Sequence, residues 1–264
     1  MEIIGFIDAH PLLVYITLGI SAFLAGAVNS IAGGGTLLTF PALTAVISGV
    51  QANATSTVAL FPGSVASAIG YRSELHHCKR LIRLLILPSI IGGIIGSLLV
   101  TEFPPDVFDR LVPWLILCAA LLFMVQPFFK KFLKTTPNAD FSTTRVVLVL
   151  LGQLAISIYG GYFGAGIGIL MLSILPFMGT GNIHHTNAAK TFLASLINAV
   201  TVVIFIAKGK VIWHLALPMV ICSIIGGYAG ARMARRISPN IVRYIVIGIG
   251  ISLSAYYMYD RFAK

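Results

Sequence analysis

The chain has 264 residues, of which 58% are apolar or aromatic and only 10% are charged, against about 45–50% and about 25% in an ordinary soluble domain. With a mean hydropathy of +0.96, this excludes secreted, fibrous and disordered classes and specifies an all-α, polytopic helical membrane protein. The 18 basic residues exceed the 8 acidic ones by a net charge of +10, but they cluster between apolar runs, so the excess points to a lipid bilayer as partner and not to nucleic acid.

In chain order, apolar runs fall at 12–31, 36–48, 52–71, 81–100, 111–129, 146–164, 166–178, 187–207, 214–231 and 241–259. No Lys or Arg precedes Arg72, so the first run lacks the basic start of a cleaved signal and reads as a retained span. The runs 36–48 and 166–178 hold 13 residues each, below the roughly 17 that a straight span needs. Each follows a glycine cluster, which predicts short or broken helices.

Sliding the chain on itself exposes a duplication. Phe40-Pro41 falls on Leu175-Pro176 at a shift of 135, Asn53 on Asn187 and Pro105 on Pro239 at 134, and Ile94-Ile95-Gly96 on Ile224-Ile225-Gly226 at 130. Two homologous repeats follow, 1–130 and 145–264, joined by a polar linker at 131–144. Whether they are parallel or inverted depends on whether the short segments cross. Basic residues divide twelve to five between the faces in either case. The acidic stretch Glu102, Asp106 and Asp109 against the basic counterpart Arg232, Arg235 and Arg236 favours inversion.

The acidic residues Glu2, Asp8, Glu74, Glu102, Asp106, Asp109, Asp140 and Asp260 are all expected at termini or in loops. Cation pumps keep a carboxylate at bilayer depth, so its absence argues against that mechanism, although a cation site made of carbonyls stays open. Arg83, Lys190 and Arg243 fall within apolar runs, and Lys190 follows the polar group His185, Thr186 and Asn187. A buried ammonium seeks an anion; the competing reading is a side chain that snorkels to the headgroups.

Gly33-Gly34-Gly35 and the cluster Gly160, Gly161, Gly164, Gly166 and Gly168 precede the two short runs. Helix N-termini exposed there offer N–H donors and a dipole to an anion, with Thr36 adding a hydroxyl, unless the glycines serve only close helix packing. Next in each half come Asn53, Ser56 and Thr57, and Asn187, Lys190 and Thr191, each set on one helix face. The His76-His77 and His184-His185 pairs are poor chelators and read as interface or loop residues. Cys78, Cys118 and Cys222 are too few and too dispersed for a disulfide framework or a metal knuckle and read as small core residues. Neither a metal site, a cofactor motif nor an enzyme's catalytic constellation is recognisable.

The run Gly26-Ala27-Val28-Asn29-Ser30-Ile31-Ala32-Gly33-Gly34-Gly35-Thr36-Leu37-Leu38-Thr39-Phe40-Pro41, followed by Ala52-Asn53-Ala54-Thr55-Ser56, resembles the TauE/SafE sulfite exporter family, also called the toluene-sulfonate uptake permease family. The resemblance extends over nearly the whole chain, with Thr186-Asn187-Ala188-Ala189-Lys190 and Lys208-Gly209-Lys210-Val211-Ile212-Trp213 in the second half. It implies export of sulfite, sulfonates or related anions across the bacterial inner membrane. The second glycine cluster departs from the triple glycine of the first.

The expected function is a secondary transporter of a small anionic substrate. Lys190 supplies charge; Asn29, Gly33, Gly34, Gly35 and Thr36 supply donors from one half and Gly164, Gly166, Asn187 and Thr191 from the other. Asn53 and Ser56 complete the wall. A passive anion channel and a carrier of small carboxylates are the rival readings.

Overall fold

A computed structural model describes residues 11–31, 34–132, 143–178, 183–233 and 239–262. In chain order they form α1 (Pro11–Ile31), α2 (Thr36–Thr44), α3 (Gly49–Gly70), α4 (Arg72–Leu75), α5 (Lys79–Glu102) and α6 (Pro105–Phe132). Then come α7 (Thr143–Tyr162), α8 (Ile167–Ile174), α9 (Ile183–Ala207), α10 (Trp213–Met233) and α11 (Pro239–Phe262), with single 3-10 turns at His76–Cys78 and Leu175–Met178. Among the described residues six stretches are long and apolar enough to cross a membrane: Pro11–Asn29, Arg72–Glu102, Pro105–Val125, Thr143–Tyr162, His184–Ala207 and Trp213–Gly230. The protein is an all-α polytopic membrane protein.

Local sequence explains the element ends. Proline opens α6 at Pro105, where its missing N–H costs nothing. The apolar run 36–48 is helical only to Thr44, and 166–178 is an eight-residue α-helix finished by a 3-10 turn at Leu175–Met178. Both are therefore short, as their glycine-bounded lengths require.

Two expectations are corrected. Glu74, Glu102, Asp106, Asp109 and Asp260 lie in helices instead of loops; for Glu102, Asp106 and Asp109 the reason is that Phe103 and Pro104 leave a link of only two residues between α5 and α6 and push the acidic stretch onto the helix ends. Asp109 is half-buried in the second turn of α6. Cys78 is buried, but Cys118 is exposed on the flank of α6, so it is not a core residue; in a bilayer an outward thiol meets lipid, where a small apolar group is tolerated. Glu2, Asp8, Asp140, Gly33 and most of the 131–144 linker lie outside the described residues.

Hydrogen bonds fix the helix directions. The Ile212 N–H, just before α10, donates to Thr55 Oγ1 near the start of α3 (3.1 Å), and further along both helices Ser223 Oγ donates to the Ala59 carbonyl (2.7 Å). Hence α3 and α10 start together, at what we term the first face. At the second face Cys78 Sγ contacts the His185 carbonyl at 3.2 Å, joining the starts of α5 and α9. These helices also end together, at the first face, through the Lys208–Glu102 ion pair.

The longest helix contacts are α1 on α10 and α5 on α7. Gly19 lies beside Cys222 and Gly226 beside Phe23, so α1 and α10 run in the same sense. Gly92 lies beside Leu154 and Ser157, and Gly96 beside Ile158 and Tyr162, so α5 and α7 do too. A methyl group on Gly26, Gly226, Gly96 or Gly161 would run into the partner helix's backbone; small residues at these crossings let the axes approach until dispersion holds them, in place of the hydrophobic effect that lipid removes. Since α1 leaves from the first face and α3 starts there, α2 carries the chain back to it. In the same way α8 returns the chain from the end of α7 to the second face, where α9 starts.

The interior is filled by Phe40, Phe108, Phe123, Phe163 and Phe205, all at most 2% exposed. Phe40 of α2 meets Phe163, just beyond α7, edge to face at 5.3 Å. Leu87, Leu148, Val203 and Ile221 are more than half exposed, on the outside of a bundle whose solvent is hydrocarbon.

Candidate functional site

Two chain breaks frame the site. In the first, Gly34 has φ +90°, a left-handed conformation that favours glycine. The intrahelical bonds of α2 begin with Leu37 N–H to Gly34 O and Leu38 N–H to Gly35 O. Asn29 Oδ1 accepts the Gly35 N–H at 2.7 Å, so one of the donors expected for a ligand is held by the protein in this conformation. The Phe123 ring covers Gly34 on its α6 side.

The second break runs from Phe163 to Gly166. Gly166 has φ +79° and directly precedes α8. Tyr159, in the last turn but one of α7, donates its hydroxyl to the Ala165 carbonyl at 2.8 Å and so pins the bend. Gly166 lies against Ala119 and Leu122. Gly34 and Gly166 therefore flank one stretch of α6, residues 119–123, and the two breaks meet at a shared wall.

Behind the breaks, Thr39 Oγ1 and Ser56 Oγ are 2.6 Å apart, joining α2 to α3. Asn53 donates through Nδ2 to the Tyr162 carbonyl (2.9 Å), which ties α3 to the end of α7. Its Oδ1 is buried and has no hydrogen-bond partner. Asn53 is 1% exposed and Ser56 fully buried; each is braced against the backbone or side chain of another helix, as buried polar groups must be.

Lys190 is half-buried in the second turn of α9. Its stem lies along Gly168 of α8: a methyl on that glycine would be 3.4 Å from Cδ and 3.7 Å from Cε. The missing side chain at position 168 thus gives room for the lysine beside the first turn of α8. Asn187 and Thr191 are half-buried on the same helix, and among the described residues no side-chain hydrogen bond links either to the first half.

The expected residues accordingly fall into groups. Asn29 with Gly35, Asn53 beside the Gly164 bend, and Gly34 with Gly166 across α6 are brought together, and Lys190 is brought to Gly168. Gly34 and Thr36 are half-buried, Gly35 is buried, and Gly33 lies outside the described residues. Thr39, Phe123, Tyr159 and the Tyr162 carbonyl were missed. Only Thr39, three residues after Thr36, carried a sequence signal; the others act through a ring, a hydroxyl or a main-chain oxygen whose neighbours are distant in sequence.

At the second face the His77 and His185 rings stack at 4.8 Å and 8°, so the two adjacent-histidine pairs meet each other. Among the described residues no group of three or more His, Cys, Asp or Glu side chains forms a metal site.

A sequence model of the family described as sulfite exporter TauE/SafE matches residues 18–257. Among curated proteins, the chain is 30% identical over 237 residues to the probable membrane transporter protein ORF9 of a Sinorhizobium species, covering 89% of this chain and 88% of that one. It is 27% identical over 240 residues to the probable membrane transporter protein YfcA of Escherichia coli, covering 90% and 87%. A probable membrane transporter protein of Haemophilus influenzae is 25% identical over 246 residues, with 90% and 92% covered. No solved structure matches.

Proposed function

We propose that this chain, which belongs to the sulfite exporter TauE/SafE family of membrane proteins, is a secondary transporter that exports small sulfur-containing anions such as sulfite or organosulfonates across a bacterial inner membrane. The observation that carries the reading is the seat of Lys190 on Gly168, a cation beside the first turn of the short α8. Helix-end donors and a single ammonium attract an anion without binding it too tightly for release.

We read the two halves as inverted repeats. Support comes from the helix crossings: Gly26 faces Ser223 and Gly227 while Gly161 faces Gly93 and Ser97, and Phe23 faces Gly226 while Ile158 faces Gly96. A shift of 135 converts 23 and 26 into 158 and 161, and a shift of 130 converts 93, 96 and 97 into 223, 226 and 227, the same shifts that align the sequence. The opposite senses of α1 and α7 agree with it. In this arrangement the second face receives Arg72, Lys79, Arg80 and Arg83 together with the loops joining α6 to α7 and α10 to α11, and is cytoplasmic by the positive-inside rule. Each half lends its first helix to the other, so a rocking motion would pivot on the two glycine crossings.

Counterflow in proteoliposomes tests the function. Unlabelled sulfite inside should accelerate uptake of labelled sulfite with saturable kinetics, and Lys190→Ala should abolish it in a folded protein. Unchanged exchange in Lys190→Ala would remove the lysine from the site; an ohmic single-channel current would replace the carrier with a pore.

A further inference from the structure

The starts of α5 and α9 meet at the second face through the two adjacent-histidine pairs. His185 is half-buried in the first turn of α9 and His77 is exposed in the 3-10 turn before α5. Their rings stack with centroids 4.8 Å apart and planes within 8°. Next along the chain from His77, the Cys78 Sγ–H donates to the His185 carbonyl at 3.2 Å, and this thiol is 5% exposed. The stack and the thiol contact together close one seam between the two helices.

Whether the stack holds depends on charge. Two neutral imidazoles stack favourably, and a protonated ring over a neutral one keeps an attraction of the cation–π kind; two protonated rings repel at this distance. Imidazole is the side chain that changes charge between about pH 5 and 8, and a pair this close takes its protons in two steps, the second resisted by the first. The elements packed on α9 carry at this end Arg72 and Glu74 on α4, His76 and Cys78 in the turn, Lys79, Arg80 and Arg83 on α5, and Arg145 on α7, while α9 itself carries His184 and Lys190. Lys79 Nζ is 3.1 Å from His76 Nε2. Glu74 is the one carboxylate of this set and lies within electrostatic reach of His184 and His185. It can balance one imidazolium, and the lysines and arginines leave a second one unbalanced.

The far ends of the same two helices are held differently. Lys208 and Glu102 pair there, at the first face, and an ammonium–carboxylate pair keeps its charges over the interval in which imidazole titrates. Helices α5 and α9 are therefore clamped at both ends, and only the second-face clamp responds to mild acid.

We propose that the His77–His185 stack is a pH-operated latch: when both rings carry a proton, the starts of α5 and α9 part at the second face and hinge on the Lys208–Glu102 end. Lys190 lies five residues beyond His185 on α9, about 7.5 Å along the axis, so opening the latch uncovers the seat of the lysine on Gly168 from the second face. The latch itself is independent of what is transported; its effect on flux rests on the transporter reading above.

Cys78 reports the latch. In the purified full chain carrying Cys118→Ser and Cys222→Ser, the rate at which N-ethylmaleimide labels Cys78 is measured at about pH 8 and about pH 5.5, the two sides of imidazole titration. Each rate is divided by that of the chain unfolded in SDS at the same pH, which removes the general loss of thiolate in acid. The ratio should rise about tenfold in acid. His77→Phe keeps a ring to stack and takes no proton, so Cys78 should stay protected at both pH values; His185→Phe repeats the test from the other ring should His77→Phe not fold. His77→Arg makes one charge permanent, so a single proton opens the latch and the rise should come at higher pH. A ratio that does not change with pH in the parent overturns the latch, and so does a rise that persists in His77→Phe; loss of that persisting rise in Glu74→Gln would assign the switch to the carboxylate. Sulfite counterflow tests the link to transport: acid on the second-face side should speed it in the parent and not in His77→Phe. Labelling as expected with counterflow unmoved would count against the transporter reading and not against the latch.

Discussion

The side-chain amide of Asn53 spans from α3 to the carbonyl oxygen of Tyr162, 2.9 Å away, where α7 yields to its glycine bend. One residue in the first half of the chain thereby holds the break that precedes the short helix of the second. The same side chain leaves Oδ1 buried and unpaired, and these two facts oppose each other energetically.

Asn53→Ala should cost about 1–3 kcal/mol for leaving the Tyr162 carbonyl without its donor, offset in part because the unsatisfied Oδ1 disappears with the side chain. Asn53→Asp should cost more, since it replaces the donor with a charge facing a carbonyl. Unfolding in mixed micelles checks the order; equal losses would contradict the assignment of Nδ2 as the donor.

Gly161→Ala and Gly26→Ala should each destabilise by about 1–3 kcal/mol, the usual range for overpacking, because both methyls meet backbone atoms of a partner helix. Gly63 lies inside α3 with nothing within 4 Å of an added methyl. Gly63→Ala should stabilise by about 0.5–1 kcal/mol, as alanine does in a helix interior. A common response at all three positions in thermal unfolding would show that helix propensity, not close approach, governs them.

Gly168→Ala should transport nearly as the parent does, since the new methyl would make ordinary van der Waals contact with the Lys190 stem at 3.4 Å. Gly168→Leu fills the groove and displaces the ammonium. Initial rates of sulfite exchange should fall by up to about a hundredfold, the cost that misplacing a group by about 1 Å can carry. Exchange at the parental rate in Gly168→Leu would mean that the stem's seat does not position the charge.

The Lys208–Glu102 pair is 43% and 54% exposed at its two ends, where solvent screens the attraction. Glu102→Gln should change stability by less than about 1 kcal/mol, and less again at high salt. A larger loss in chemical denaturation would indicate that the pair locks the ends of α5 and α9 at the first face.

Composition alone determined the solvent in which this protein folds, because every helix surface turned to lipid must be apolar and every break must be glycine-rich. The short lengths of the 36–48 and 166–178 runs were legible for the same local reasons. The sense of the helices was not. Basic residues divide equally under either topology, and only contacts such as Thr55 with Ile212 and Cys78 with His185, between residues more than a hundred positions apart, say which ends meet. Lys190 and both glycine clusters stood out as residues at odds with an apolar run. So did Asn29 and Arg243, but that Asn29 takes the Gly35 donor, that Phe123 covers Gly34 and that Arg243 Nε finds no acceptor were not legible, since a partner's presence or absence depends on which helices the bundle brings together. Chain periodicity encodes what one helix needs; three-dimensional packing decides which other segment supplies it.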